Sequence, residues 1–316
     1  MADPLLAELQ TWLTQPLTPA VAESVARLRA AEGVKQVCLM PDVHLASEVC
    51  VGAVVATEQI IYPQAVGGDI GCGMAALRFD VEAEALNNER SAGAVLAGLY
   101  GSVPSNKHRR TMALPETLRS TGLSDATLVK RASRDGAVQI GTLGHGNHFL
   151  EFQADEAGQL WVMLHSGSRA MGQAITARHL SNGEPNGTGL CSLDAETDVG
   201  AAYLHDVAWA RTYAAENRLA MLRAVEELIS CLFRVEADWK SLVHADHNHV
   251  QRETHVGRSY FVHRKGAQSA GDGEAGIVPG SMGTASFHTI GRGCQAALTS
   301  CSHGRRKTHE PDRSTT

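Results

Sequence analysis

The segment Asp69-Ile70-Gly71-Cys72-Gly73-Met74 sets a carboxylate and a thiol three residues apart in a glycine-rich turn. Downstream lie Asn147-His148, His165-Ser166-Gly167-Ser168-Arg169, His247-Asn248 and Ser302-His303-Gly304. A carboxylate, a thiolate and dispersed imidazoles suit a site for one or two transition metals. Sulfur and nitrogen donors favour Zn, Fe, Co or Mn over a bare Mg site. A thiolate has spare lone pairs, so one cysteine can bridge two metals. The bland alternative is a turn made by Gly71 and Gly73 and capped by Asp69, with Cys72 as a small buried hydrophobe.

Around His148 the chain reads Gly144-His145-Gly146-Asn147-His148-Phe149-Leu150-Glu151. Glycines there let the backbone approach a ligand closely. His148 can bind metal, and Asn147 and Glu151 can hydrogen-bond a nucleotide; a turn bearing a surface histidine is the alternative. The string lacks a third glycine and a following helix pattern, so it is not a dinucleotide fingerprint. In His165 to Arg169, small hydroxyls can hold phosphate oxygens and Arg169 can clamp them. Gly-x-Ser-x-Gly is absent, which weakens acyl hydrolysis. His244, His247 and His249 cannot all face one metal, although Asp246 and Asn248 suit a polar site. His263-Arg264-Lys265-Gly266-Ala267 supplies phosphate donors, and Pro279-Gly280-Ser281-Met282-Gly283 offers bare amides for a nucleotide.

These residues need a scaffold. Leu, Ala and Val at helical spacing from Pro4 to Glu32, broken at Pro16 and Pro19, predict two helices. Strands are predicted over Val37–Met40, Val51–Ala56, Met74–Phe79, Leu160–Leu164, Ser259–His263 and Ile277–Val278. Helices are predicted over Val81–Tyr100 and Val199–Phe233, and loops over Ser181–Gly189 and Gly271–Gly276. Candidate donors come from most of the chain, which predicts one intertwined α+β domain with a central β core flanked by helices. The polar span Ser102–Arg134 carries Lys107-His108-Arg109-Arg110 and Lys130-Arg131, either a phosphate-facing patch or a solvated surface.

At 316 residues and 43% hydrophobic content the chain can bury a sizeable core. A net charge of −6 excludes a global basic field, so any nucleic-acid contact must be local. Aromatic content of 5% argues against a single-strand stacking platform. Seven cysteines at irregular spacing, with no CxxC, fit a reducing compartment rather than a disulfide framework. With no leader-like N-terminus and no apolar run of membrane-span length, a cytoplasmic protein without a membrane partner is expected.

Taken in order, the strings carry a resemblance. Met40-Pro41-Asp42-Val43-His44, Asp69 to Met74, Gly141 to Glu151 and His165 to Arg169 are part of it. It continues through His247-Asn248, Arg264 to Ala267, Pro279 to Thr284 and Ser302-His303-Gly304. The chain resembles the RtcB family of RNA ligases. The resemblance implies joining of RNA 3′-phosphate or 2′,3′-cyclic phosphate ends to 5′-hydroxyl ends, in RNA repair or tRNA splicing. It implies GTP and two Mn²⁺ ions as cofactors and a GMP-histidine intermediate. Metal ligands would be Asp69, Cys72, His148, His165 and His247, with Cys72 bridging. His303 would be the guanylated nucleophile. Asn147, His148, Glu151, His247, Asn248, Pro279, Gly280, Ser281, Met282, Ser286 and Gly304 would contact the guanylate. Arg264 and Lys265 would face RNA or triphosphate. The protein would act as a monomer, with an accessory activator unknown.

The chain departs from the family pattern twice. Leu45-Ala46-Ser47-Glu48 replaces a glycine- and lysine-containing turn, removing positive charge. After His303 the family reads Ser-His-Gly-Ala-Gly-Arg and continues, whereas this chain has Gly304-Arg305-Arg306-Lys307 and ends at Thr316. One synonymous coding of Gly304–Pro311, read one base later, gives Gly-Ala-Gly-Arg-Arg-Met-Ser-Arg. A single inserted base would therefore make 305–316 a non-native or disordered tail on a single catalytic domain spanning 1–316. Two competing expectations follow: a catalytically impaired RNA-end-binding scaffold, and a metal-dependent phosphodiesterase that opens cyclic phosphates.

Overall fold

A computed structural model describes residues 6–185, 187–281 and 283–304. Met282 and the 305–316 tail, both named above, lie outside the described residues. Of the two helices expected before residue 32, the second forms as α1 (Pro19–Arg29), with proline in its first turn where a missing N–H costs nothing. The first does not. Its residues instead make β1 (Glu8–Thr11), parallel to β2 (Val34–His44) with Leu9 opposite Val37. The open edge of β2 offers unpaired backbone groups, and satisfying them outweighs the local helical pattern. Leu9, Leu13 and Leu17 still reach the core that Val21, Val25 and Leu28 of α1 build.

β3 (Val51–Thr57) is buried almost throughout, as a central strand covered on both faces must be. After β4 (Ile60–Ile61) comes β5 (Gly73–Glu82), which absorbs the first residues of the helix expected from Val81. That helix, α2 (Glu89–Ser102), starts where the Asn88 side chain accepts the Ser91 N–H at 2.9 Å. The polar span folds into α3 (Glu116–Thr121), α4 (Ala126–Arg131) and, after a π-turn, α5 (Ala137–Gln139). There follow β6 (Phe149–Ala154), β7 (Gln159–Ser166), α6 (Ala170–Leu180), β8 (Glu184–Pro185) and β9 (Cys191–Asp194). α7 (Asp198–Phe233) is the long helix read from the sequence, capped by Thr197.

The C-terminal part is richer in strands than expected. β10 (Ala237–Asp246) and β11 (Asn248–His255) were not foreseen; they precede β12 (Arg258–Lys265), β13 (Ala267–Ser269), β14 (Ala275–Val278), β15 (Phe287–Ile290) and β16 (Ser300–Ser302). β14 takes up part of the loop expected at Gly271–Gly276. The alternation in β10 is interrupted by a register shift between Asp238 and Val243, which hides it from a period-two reading.

A five-stranded sheet runs β1-β2-β3-β12-β11, and a four-stranded sheet runs β10-β5-β7-β6. Only His247 separates β10 from β11, so the chain steps between the sheets at that residue. α7 ties the halves together. Its Met221, Leu222, Val225 and Ile229 pack with Leu77, Phe79, Val162 and Leu164 of the four-stranded sheet. Its earlier turns bring Tyr203, Val207 and Tyr213 against Ile70, Met171 and Ile175. Each such side chain contributes roughly 1.5–3 kcal/mol by leaving water. The result is one α+β domain with its sheets at the centre and α7 spanning both units of core. Among the described residues no helix is long and apolar enough to cross a membrane.

Candidate active site

The sheet seam collects the candidate donors at one end of the four-stranded sheet. Cys72 immediately precedes β5, His165 lies near the end of β7, His148 precedes β6, and His247 joins β10 to β11. Register does the alignment: Met74 and Phe149 both pair with His165, and Gly73 pairs with Asp246. The His247 N–H donates to Cys72 O at 2.8 Å, and the Gly71 N–H to Asn248 O at 2.7 Å. The Asp69–Cys72 turn depends on glycine. Gly71 has φ of +72°, and a side chain there would meet Ala214 and the backbone of Arg211 on α7. Gly167 leaves room for the Asp69 carboxylate, into which any larger residue would run.

Cys72 Sγ lies 3.4 Å from His148 Nε2 and 3.1 Å from His165 Nε2. His165 Nε2 is 3.2 Å from His247 Nε2, and His148 Nε2 is 2.9 Å from Asp69 Oδ2. The tautomers follow from the far side of each ring. His148 Nδ1 donates to Leu143 O and His165 Nδ1 to Asn147 O, both at 3.0 Å. With Nδ1 committed to a carbonyl, Nε2 is the nitrogen each ring turns toward the cluster.

Two of the imidazoles are pushed toward their neutral forms. Burial, then the like charge of His148, pushes His165 down to about 3. Burial, then His303 and His165, drives His247 well below its ordinary value. Burial and the Asp69 carboxylate push the Cys72 thiol well up, opposed by Arg218. Burial works to raise Asp69, but His148 and Cys72 outweigh it and hold the carboxyl low. Lone pairs from imidazoles and a carboxylate thus face one another, and Asp69 Oδ1 is buried without a hydrogen bond. A divalent cation fits this arrangement, since it replaces the missing protons and lowers the thiol. The ligand atoms form two trios, Cys72–His165–His247 and Asp69–Cys72–His148, each within 4.8 Å. Cys72 belongs to both.

His303, just beyond β16, packs its ring 4.6 Å from that of His247. Its Nδ1 is 2.9 Å from Asp42 Oδ2, close for an ion pair though not aligned as a hydrogen bond. Gly304 N–H donates to the same Asp42 oxygen at 3.1 Å. Asn248 works as a staple: its Nδ2 donates to Asp69 O and its Oδ1 accepts the Gly266 N–H. Asn147 is exposed beside the cluster. Glu151, whose carboxyl burial pushes up, accepts Gln153 Nε2, which also donates to Ser286 Oγ at 2.9 Å. Ser286 in turn accepts the Gly280 N–H, joining half-buried Pro279 and Gly280 to this group. Ser281 is exposed and turns inward through its N–H to Thr284 Oγ1. Gln153, Trp161, Ser286 and His288 line a cleft of about 680 Å³.

Two sequence expectations need correction. Arg264 does not face RNA or triphosphate: it is fully buried, forked onto Glu253, and donates to Ser300 Oγ and Leu298 O. Lys265 is buried too, holding the 45–49 turn through Ser47 Oγ at 2.9 Å and Val49 O at 2.8 Å. His244 and His249 bond Arg218 and Arg264 respectively.

Three residues at the site have no role in the sequence reading. Asp42 is one. The others are Asn217 and Arg218, both fully buried on α7. Asn217 holds Thr142, Ser166 and Gly167. Arg218 Nη1 donates at 2.7 Å to both Gly71 O and Ser166 O, bracing the Cys72 turn against the His165 strand. A signal existed: two polar residues stand on the stripe that also carries Tyr213, Met221 and Leu222.

A family model described as tRNA-splicing ligase RtcB matches residues 22–122 and 111–310. RNA-splicing ligase RtcB of Escherichia coli (strain K12) is 35% identical over 303 residues, covering 85% of this chain and 73% of the relative. tRNA-splicing ligase RtcB of Methanococcus maripaludis is 27% identical over 376 residues, covering 94% of this chain and 78% of the relative. RNA-splicing ligase RtcB of Mycobacterium tuberculosis (strain H37Rv) is 28% identical over 341 residues, covering 84% and 78%. With the matched segments spanning most of its length, this chain belongs to the RtcB family.

Proposed function

We propose that this protein is a cytoplasmic RNA ligase that uses GTP and two Mn²⁺ ions. It joins a 3′-phosphate or 2′,3′-cyclic phosphate RNA end to a 5′-hydroxyl, in RNA repair or tRNA splicing. The family match supports ligase chemistry. The observation that carries the finer reading is the pair of donor trios sharing Cys72, with the His303 ring tilted against that of His247, a member of one trio. The free state of all seven cysteines supports a reducing compartment.

Asp69, Cys72, His148, His165 and His247 would hold the ions. When bound, such ions neutralise phosphate oxygens and orient a leaving group in line. The remaining steps fall to the chain's own groups. Asp42 faces Nδ1 of His303, which leaves Nε2 as the nucleophile. Nε2 attacks the α-phosphorus of GTP; the N–P bond forms as the P–O bond to pyrophosphate breaks, and pyrophosphate leaves with the electron pair. The Asp42 carboxylate offsets the positive charge that develops on the ring. A 2′,3′-cyclic end first takes up water, which breaks the bond from phosphorus to O2′ and leaves a 3′-phosphate; an oxygen of the 3′-phosphate then attacks the phosphorus of GMP, the N–P bond breaks and the imidazole is restored. The 5′-hydroxyl finally attacks the activated 3′-phosphorus and GMP departs. Glu151, Gln153 and Ser286 suit the guanine edge, with carboxylate, amide and hydroxyl in one chain of hydrogen bonds.

The test is a ligation assay with a 3′-phosphate RNA and a 5′-hydroxyl RNA, with GTP and Mn²⁺ supplied or withheld. Joined product that needs both supports the proposal. Opening of a cyclic phosphate without GTP and without joining would favour the phosphodiesterase. RNA binding with neither reaction would favour the scaffold.

A further inference from the structure

The overall charge of −6 repels RNA, so docking requires a local cationic surface. The two basic runs singled out in the sequence differ in the structure. In the second, Arg131 pairs with Asp135, as does nearby Arg134, which leaves Lys130 as its single exposed cation with no acidic partner among the described residues. In the first, Lys107, Arg109 and Arg110 are exposed, and among the described residues none has an acidic partner within ion-pair reach. The segment 101–115 contains no acid at all.

This strip is also fixed to the site. The Leu143 N–H donates to Pro104 O at 3.0 Å, and the Gly144 N–H to Ser105 O at 2.8 Å. The His108 N–H donates to Val138 O at 2.7 Å, and the Met112 N–H to Ala137 O at 2.6 Å. Leu143 is the same residue whose carbonyl accepts Nδ1 of His148. One residue therefore joins the basic strip to a candidate metal ligand. Half-buried Arg169 lies between them, its guanidinium beside Gly144 and His148. Cations thus lead from the surface to the centre on a backbone held at several points, so little ordering entropy remains to be lost on binding.

We propose that Lys107, Arg109 and Arg110 form the docking strip for the sugar–phosphate backbone of the RNA whose 3′ end enters the centre. The inference rests on the ligase reading for the identity of the strand. Three phosphate contacts on a single strand give a slope of log K against log salt of about −2 from this strip alone.

The experiment uses the full chain and a fluorescent single-stranded RNA with a 3′-phosphate, followed by anisotropy across a salt series. K107A/R109A/R110A is compared with wild type and with R252A/R258A, which removes exposed cations from the β11–β12 hairpin. The triple variant is expected to bind about tenfold or more weakly and to lose about 2 from the salt slope, with the hairpin variant close to wild type. An unchanged affinity and slope, or an equal loss per charge from the hairpin variant, overturns the strip. Labelling of the wild-type chain by GTP decides the ligase reading separately. An unlabelled wild type with weakened RNA binding in the triple variant would sink that reading and leave the strip standing.

Discussion

Asp42 Oδ2 lies 2.9 Å from Nδ1 of His303 and accepts the N–H of the next residue, Gly304, at 3.1 Å. One carboxylate oxygen thus lies against the ring and holds the backbone that follows it. The Asp42→Asn variant keeps the shape and removes the charge. It is expected to slow guanylylation about 10–100-fold, the usual cost of losing an orienting partner. Metal content measured on the same sample should not change, because Asp42 belongs to neither donor trio.

Cys72 is common to both trios, whereas His148 belongs to one and His247 to the other. Cys72→Ala should therefore lose both ions, and His148→Ala or His247→Ala chiefly one. Co²⁺ titration followed by absorption checks this, since the sulfur-to-metal charge-transfer band should vanish in Cys72→Ala alone. Equal stoichiometry in all three variants would count against a shared thiolate.

Much of this centre is legible in the order of the sequence. Asp69, Cys72, His148, His165 and His247 each fall beside a glycine or at a strand end, and those local signals survive folding. Other parts are not local. β1 forms because β2 has an open edge, which the Leu-rich N-terminal segment cannot reveal. Arg264 looks like a phosphate donor until Glu253, eleven residues earlier on the neighbouring strand, claims its guanidinium. Asp42 gains meaning only when β16 delivers His303 beside it. Asn217 and Arg218 read as helix residues until α7 lies across the Cys72 turn.

Arg218 gives a stability prediction. It is buried and donates to Gly71 O, Ser166 O and His244 Nε2. Arg218→Met leaves those acceptors unpaired and should cost about 3 kcal/mol in urea unfolding. Its metal affinity should fall as well, because Cys72 and His165 lose their common brace. A variant as stable as wild type would contradict the bracing role.

His263 gives a pH prediction away from the metal donors. Its Nε2 accepts the Tyr62 N–H at 3.0 Å and its Nδ1 faces Val55 O at 3.2 Å, so the folded protein needs the neutral ring. Burial pushes it down to about 4. With the folded value below the unfolded value of about 6.5, the associated stability is complete above pH ~6.5 and is lost as pH falls toward 4. Over that window the loss approaches about 3 kcal/mol. His263→Gln should flatten this part of the stability-against-pH curve, measured by urea unfolding. An unchanged slope would mean that other groups carry the acid sensitivity.

In the proposed reaction His303 becomes covalently guanylated at a centre built on Cys72. The direct measurement is incubation of the protein with Mn²⁺ and GTP labelled at the α-phosphate, followed by acid treatment and peptide mapping. The predicted result is an acid-labile label on the peptide containing His303, absent from His303→Ala and lost on chelation of the metal. A wild-type chain that stays unlabelled, or a label that persists in His303→Ala, would rule out His303 as the nucleophile.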